Sequence, residues 1–387
     1  MNNFDYHFPV RIHFGQGCAL DALRKEIGQY GNHVMLAYGG NSLKRTGLYD
    51  RLVKLLTDAG KTIIDFPGIM PNPTYKKVQE GARLAREKKA DLILAVGGGS
   101  VSDCCKIISA QAKTDRDIWD MEYTERELPT EFIPLGIIVT ASGTGSEENN
   151  GAVITHEEKR QKNALWGAFA DFAILDADLT RTVPMHQVIS GAFDTLSHCM
   201  ETYFGKPAET NLSDELNEAV QRNTIRNLRA IKANPDDDQA RNELMWASAM
   251  GENGILKLGK VTDFQCHMLE HQLGAYTDCN HGQGLAVIHP PLYRRLLGAN
   301  VAKFARWAEE VWCVERADKT DEQIGAEGIE ALADFIHAVG LPTSFSKMGL
   351  SLNDATLHAI TESTIITPGC ARKLTADELF QILKECN

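Results

Sequence analysis

Asp91-Leu-Ile-Leu-Ala-Val-Gly97-Gly98-Gly99-Ser100 is the stretch whose reading decides the fold. An unbroken apolar run ends in three glycines, and Ser100 then opens SVSDCCKIISAQA, which reads as a helix. A strand without polar alternation has both faces covered, as in a parallel sheet wound with helices. Three glycines let backbone approach a ligand, and the free N–H groups at a helix start suit a pyrophosphate.

The same plan recurs on either side. HVMLAYGGNS (33–42) leads into the helix SLKRTGLYDRLVKLLTDAG, and KTIIDFPGI (61–69) into TYKKVQEGARLAREKKA. Upstream, FPVRIHF (8–14) reads as a strand before the helix ALDALRKEIGQYG; downstream, FIPLGIIVTASGTGSE and DFAILDADLTRTVP supply further strand edges. Repeated strand, glycine turn and helix predict an α/β domain with a Rossmann-like parallel sheet. Pro184 closes it, and from His186 onward the periodicity is helical, with loops at Asn234-Pro-Asp-Asp-Asp238 and Gly340-Leu-Pro342. The expected organisation is a dinucleotide-binding α/β domain at 1–185 and an all-α metal-binding and catalytic domain at 186–387.

Composition narrows the function. A chain of 387 residues with 43% hydrophobic and 24% charged residues is that of an ordinary two-domain globular protein. A net charge of -12 argues against nucleic acid and anionic membrane surfaces as partners. No basic stretch followed by an apolar run opens the chain, no window approaches a membrane span, and the nine cysteines include no CxxC. Reduced thiols in a cytoplasmic protein are the expectation.

Three turns carry the cofactor reading. Gly97, Gly98, Gly99 and Ser100 form the first. Thr140-Ala-Ser-Gly143-Thr144-Gly145-Ser146 is a second glycine-and-hydroxyl turn after a strand, suited to a phosphate or ribose. Both lie at carboxyl ends of strands, where ligands bind in such sheets. The third, Tyr38-Gly39-Gly40-Asn41-Ser42, lacks the acidic side chain with which many sites select NAD, and Lys44 and Arg45 follow. A 2′-phosphate meets no repulsion there, which favours NADP while leaving NAD open.

The helical half carries a different pattern. Asp194 and His198 are four residues apart, as are His267 and His271, and His281 follows at a helix start flanked by Gly282 and Gly284. At about 3.6 residues per turn, each pair shares one helix face. A carboxylate and several imidazoles from separate helices assemble a site for a borderline divalent metal. A lone histidine on such a face is more often a hydrogen-bonded core residue; the crowding of His267, His271 and His281 next to a glycine-flanked turn favours a metal.

GGGSVSDCCK (97–106), TASGTGSE (140–147), GAFDTLSHCMETY (191–203) and HMLEHQLGAYTDCNHGQGLAV (267–287) together resemble the iron-containing, group III alcohol dehydrogenases. The likeness runs along nearly the whole chain and is strongest to the butanol dehydrogenase branch, which includes NADPH-dependent aldehyde reductases. It implies a fold shared with dehydroquinate synthase, with Asp194, His198, His267 and His281 as metal ligands and His271 beside nicotinamide and substrate. It also implies cofactor contacts from Asp103, Thr140, Thr144 and Lys162, and a homodimer. Cys104-Cys105 departs from the family, where an alanine often precedes the lysine, and the Ser146-Glu-Glu-Asn-Asn150 run also differs.

The expected reaction is hydride transfer between the dinucleotide and a small aldehyde or primary alcohol. Four protein ligands and a substrate oxygen suit Fe(II) better than the three-ligand open site of catalytic zinc, with zinc the second choice. A lyase like dehydroquinate synthase, with NAD used only transiently, is one alternative; its polyanionic substrate calls for Lys and Arg near the ligands, where few occur. A dinucleotide sensor without catalysis is another, and it gives no reason for four metal ligands.

Overall fold

The computed structural model describes residues 1–387. By internal packing the chain divides into a unit of His7–Pro184 and a unit of Met185–Asn387 joined by Met1–Tyr6.

In the first unit the apolar runs become strands: β1 (Arg11–Phe14), β2 (His33–Tyr38), β3 (Thr62–Phe66), β4 (Leu92–Gly97), β5 (Leu135–Val139), β6 (Gly151–His156), β7 (Gln161–Trp166) and β8 (Phe172–Leu175). Six of them form one parallel sheet in the order β1-β8-β5-β4-β2-β3. Residues Leu92 to Gly97 and Leu135 to Val139 are buried throughout, as central strands covered on both faces must be. The helices are α1 (Ala19–Glu26), α2 (Ser42–Arg45), α3 (Leu48–Asp58), α4 (Tyr75–Glu87), α5 (Gly99–Gln111) and the short α6 (Ile118–Asp120).

From β2 the chain moves outward to β3, then returns to place β4 on the other side of β2. Strand order therefore reverses between β2 and β4, the point where open α/β sheets take ligands at their carboxyl ends.

Three details differ from the sequence reading. The first strand begins at Arg11, where its N–H meets the Asp171 carbonyl; Pro9 has no N–H to extend the ladder. The second expected helix breaks at Gly47, whose φ of 70° ends α2 and starts α3. The antiparallel hairpin β6–β7 was not anticipated.

In the second unit the elements are α7 (Met185–Tyr203), α8 (Leu212–Ala233), α9 (Asp238–Glu252), α10 (Gln265–Thr277), α11 (His281–Leu296), α12 (Val301–Trp312), α13 (Asp321–Val339), α14 (Asp354–Ser363) and α15 (Ala376–Cys386). Side-chain capping boxes start α8 (Asn211, Asp214), α13 (Thr320, Gln323) and α15 (Thr375, Glu378), satisfying N–H groups that have no intrahelical partner. Phe204, Tyr293, Phe304 and Trp307 pack ring against ring in the core. No helix is long and apolar enough to cross a membrane.

Candidate metal centre and dinucleotide turns

Glycines 282 and 284 explain how three helices converge. A Cβ on Gly282 would lie 2.2 Å from the Ser190 carbonyl oxygen of α7, and one on Gly284 would lie 2.8 Å from Glu270 Cγ of α10. Only glycine lets the start of α11 approach both neighbours, and the approach delivers His281 to residues of α7 and α10.

The result is a cluster around one oxygen. Asp194 Oδ1 lies 3.4 Å from His267 Nε2, 3.5 Å from His281 Nε2 and 3.6 Å from His198 Nδ1. The His198 and His267 rings stack with centroids 4.4 Å apart, and the His267 and His281 centroids are 5.2 Å apart. Asp194, His198 and His267 are buried, and Asp194 Oδ1, His198 Nδ1 and His267 Nε2 make no hydrogen bond. Buried polar atoms without partners are costly and call for an explanation. A divalent ion supplies it: two ligand atoms each ~2.1 Å from one ion, at a tetrahedral angle, stand ~3.4 Å apart. The donor set, imidazole and carboxylate without thiolate, suits iron or zinc.

Two carboxylates grip the far nitrogens of these rings. Glu201 of α7 bonds His267 Nδ1, and Glu270 of α10 bonds His281 Nδ1. Such partners fix which ring nitrogen faces the ion and raise its basicity. Glu201 also accepts the second and third N–H groups of α10, from Cys266 at 2.7 Å and His267 at 3.3 Å, so one side chain holds both the helix start and the ring. That anchoring, with Phe264 at φ 53°, starts α10 at Gln265, later than the apolar periodicity suggests.

Electrostatics point the same way. Burial pushes the Asp194 carboxyl up, but the His198, His281 and His267 imidazoles outweigh it and hold the group below the usual carboxylate range. Burial opposes charge on His267, yet the Glu201 and Asp194 carboxylates carry it up to about 10. Burial pushes His198 down. The cluster is rich in negative charge and holds a proton where a cation fits.

His271 lies one turn beyond His267, buried, with ring centroids 6.0 Å from His267 and 5.5 Å from His281. Sequence reading named Asp194, His198, His267, His281 and His271, which the structure brings together, but missed Glu201 and Glu270. The signal was present: each stands three residues after a ligand on its own helix, His198 and His267 respectively.

In the α/β unit the three turns share one sheet edge. Tyr38 is in register with Val96, and Gly97 with Val139, so Gly39, Gly40, Asn41 and Ser42, then Gly97, Gly98, Gly99 and Ser100, then Thr140 follow the ends of adjacent strands. A Cβ on Gly99 would lie 2.5 Å from Thr144, and one on Gly39 would lie 3.1 Å from the Ile69 carbonyl. Asp103 faces inward and bonds Ser146 Oγ and the Val153 N–H, at 2.9 Å for the latter, fastening both the second turn and the hairpin to α5. Burial pushes the Asp103 carboxyl up against the pull of Lys106 and Lys162. Lys162 is buried on β7 opposite Thr155. Lys106, fully buried, donates to Ser146 Oγ, Asn149 Oδ1 and the Gly151 carbonyl within 3.0 Å; its place in this brace was not anticipated.

Residues 9–177 match the family description "Iron-containing alcohol dehydrogenase", and residues 188–386 match "Fe-containing alcohol dehydrogenase family, C-terminal". A probable NADH-dependent butanol dehydrogenase of Bacillus subtilis is 36% identical, with 99% of each chain covered. The NADPH-dependent aldehyde reductase YqhD of Escherichia coli is 36% identical over 90% of each chain. Among solved structures, NADH-dependent butanol dehydrogenase A of Thermotoga maritima superposes with a TM-score of 0.93 at 30% identity, covering 100% of this chain and 99% of the other.

Proposed function

The chain belongs to the iron-containing alcohol dehydrogenase family, and on that premise we propose that it is an NAD(P)H-dependent alcohol dehydrogenase and aldehyde reductase of the butanol dehydrogenase branch. The observation that carries the reading is the buried Asp194 Oδ1, ringed by three imidazole nitrogens at 3.4 to 3.6 Å and hydrogen-bonded to none. Neither a lyase like dehydroquinate synthase nor a sensor without catalysis is favoured: the full-length relatives are named as dehydrogenases and an aldehyde reductase.

When bound, a divalent cation supplies Lewis-acid polarisation of a carbonyl oxygen, and a nicotinamide dinucleotide supplies the hydride. Asp194, His198, His267 and His281 hold the cation, which we take to be Fe(II) with Zn(II) second. Glu201 and Glu270 keep the His267 and His281 rings oriented. The backbone of Gly97, Gly98, Gly99 and Ser100 binds the pyrophosphate at the start of α5. Thr140, Thr144 and Lys162 add further cofactor contacts, as does Asp103, which also fastens the second turn and the hairpin to α5. A ring nitrogen of His271 moves the proton that accompanies the hydride.

NADP is the preferred dinucleotide in this reading, because Gly39, Gly40, Asn41 and Ser42 carry no carboxylate and Lys44 and Arg45 follow. The acid on the neighbouring strand, Asp65, is occupied by the Tyr38 and Tyr49 hydroxyls at 3.1 Å each. A cytoplasmic homodimer acting on small aldehydes or primary alcohols completes the proposal.

The test is an anaerobic assay of purified protein with NADPH and NADH against aldehydes of increasing chain length, with metal content measured on the same sample. Turnover with a small linear aldehyde, faster with NADPH, and about one ion per chain are expected. Dinucleotide binding without aldehyde turnover would remove the dehydrogenase reading; faster NADH turnover would reverse the cofactor preference alone.

A further inference from the structure

Behind the metal centre lies a buried polar chain that leads away from the ligands. Ser197 of α7 and His289 of α11 are wholly buried, and Ser197 Oγ lies 2.6 Å from His289 Nε2. The same oxygen is 3.5 Å from Glu201 Oε2 and 3.5 Å from His267 Nδ1. The positions follow from helix spacing. Ser197 and Glu201 are one turn apart on α7, and His289 is about two turns beyond His281 on α11.

We propose that Ser197 and His289 are positioning residues of the metal centre, forming with Glu201 a relay that holds the His267 ring with its Nε2 toward the cation. The inference rests on the metal reading given above. A hydroxyl has one hydrogen to give and lone pairs with which to accept. An ionised carboxylate has no hydrogen to give, so in the 3.5 Å contact with Glu201 Oε2 the Ser197 hydroxyl is the donor. Ser197 then accepts from His289 Nε2–H, which makes His289 a neutral imidazole with its proton on Nε2. Burial, which pushes His289 down to about 4, agrees with that neutral form.

The two oxygens of Glu201 serve three other donors: the Cys266 and His267 N–H groups and His267 Nδ1. The Ser197 hydroxyl adds a fourth contact on Oε2, the oxygen that holds the His267 ring. Glu201, Cys266 and His289 also lie close enough to form a second donor cluster. Its carboxylate is committed to His267 Nδ1 and its imidazole to Ser197 Oγ, so both groups face neighbouring side chains. The cluster therefore orients.

The test uses the full chain, stripped of metal and titrated with Co(II) against a competing chelator; the visible absorption of Co(II) reports its ligand field. Ser197→Ala and His289→Leu are expected to weaken Co(II) binding about 10-fold and to alter the absorption, the size usual for loss of an outer partner of a ligand. Ser197→Thr and His289→Gln, which keep a hydroxyl and an N–H at the same positions, recover most of the affinity. The double variant Ser197→Ala/His289→Leu is no weaker than Ser197→Ala, because the links act in series. Unchanged affinity and spectrum in both truncations would overturn the relay while leaving the metal site intact. Losses that the conservative variants do not rescue would make the two residues mere packing. A wild-type chain that binds no Co(II) would sink the metal centre itself, and the relay with it.

Discussion

The helical unit contains two buried charge networks, and they are built on opposite plans. In one, Asp214 of α8 takes Lys260 Nζ on Oδ1 and Lys303 Nζ on Oδ2, the latter at 2.6 Å. Lys260 also donates to the Tyr203 carbonyl at 2.9 Å, and Lys303 lies 4.2 Å from the centroid of the Tyr203 ring. The Tyr203 hydroxyl donates to Glu218, whose carboxylate takes a two-pronged grip from Arg306 at 2.7 and 2.9 Å. Acids and bases answer one another and the network is closed. In the other, the Asp194 oxygen has His198 Nδ1 at 3.6 Å and His267 Nε2 at 3.4 Å, and none of the three atoms makes a hydrogen bond. Burial costs both networks the hydration of their charges. The closed one offsets part of it internally, although burial still holds the Lys303 ammonium below its ordinary range, whereas the open one has no partner within the protein to offset it. A buried charge signals stability or function according to whether its partners are complete.

The sharpest way to break that comparison is to remove the centre of the open network. Asp194→Ala should lose bound metal by elemental analysis and lower aldehyde turnover by roughly a thousandfold or more, the order expected when a Lewis acid worth several kcal/mol is lost. Its metal-free melting temperature should change little. Retained metal would show that the Asp194 oxygen is not a ligand.

The mirror experiment opens the closed network. Asp214→Ala leaves Lys260 and Lys303 buried without a counter-charge and should cost about 3–5 kcal/mol in denaturant unfolding. The folded fraction should still bind one metal ion. Loss of metal from that fraction would mean the two networks are coupled.

A gentler change concerns the partners of the ligands. Glu270→Gln keeps an acceptor for His281 Nδ1 but removes its charge, so metal affinity should fall about 10-fold in a chelator competition. An unchanged dissociation constant would make Glu270 a spectator.

The smallest expected effect is a pH slope. Burial, then repulsion from Lys260, pushes the Lys303 ammonium from its ordinary 10.5 down to about 8. Between those values the unfolded chain binds more protons than the folded one, so this group's contribution makes stability rise with pH across that window. Below about pH 8 the penalty is fully present. Lys303→Met should flatten the slope between those limits in urea titrations at stepped pH. An unaltered slope would locate the titration elsewhere.

The α/β unit was the more legible half. Runs such as Leu92 to Val96 are apolar without alternation, and burial on two faces leaves that mark on the sequence itself. The glycine turns were equally plain, because backbone approach needs glycine whatever surrounds it. The hairpin β6–β7 escaped because its residues alternate only loosely between buried and partly exposed, and Asp103, some 50 residues earlier, holds it down. In the helical unit, four-residue spacings exposed Asp194 with His198 and His267 with His271. Glu201 and Glu270 were passed over despite their three-residue spacing from His198 and His267, because an acid on a helix usually faces water.

Sequence alone determined most of the elements and the kinds of group available: strands ending in glycine, helices carrying imidazoles one turn apart, and a glycine-flanked start to the helix that opens at His281. Periodicity and backbone freedom are local properties, and a chain carries them wherever it goes. Only the tertiary structure decided which atoms meet. Asp194 Oδ1 comes within 3.6 Å of His267 and His281, more than 70 residues away, and Glu201 reaches back to start α10 and steer His267. The physical reason is that a ligand site depends on distances of a few tenths of an ångström between groups on different helices. Packing sets those distances, and no spacing along one chain segment can.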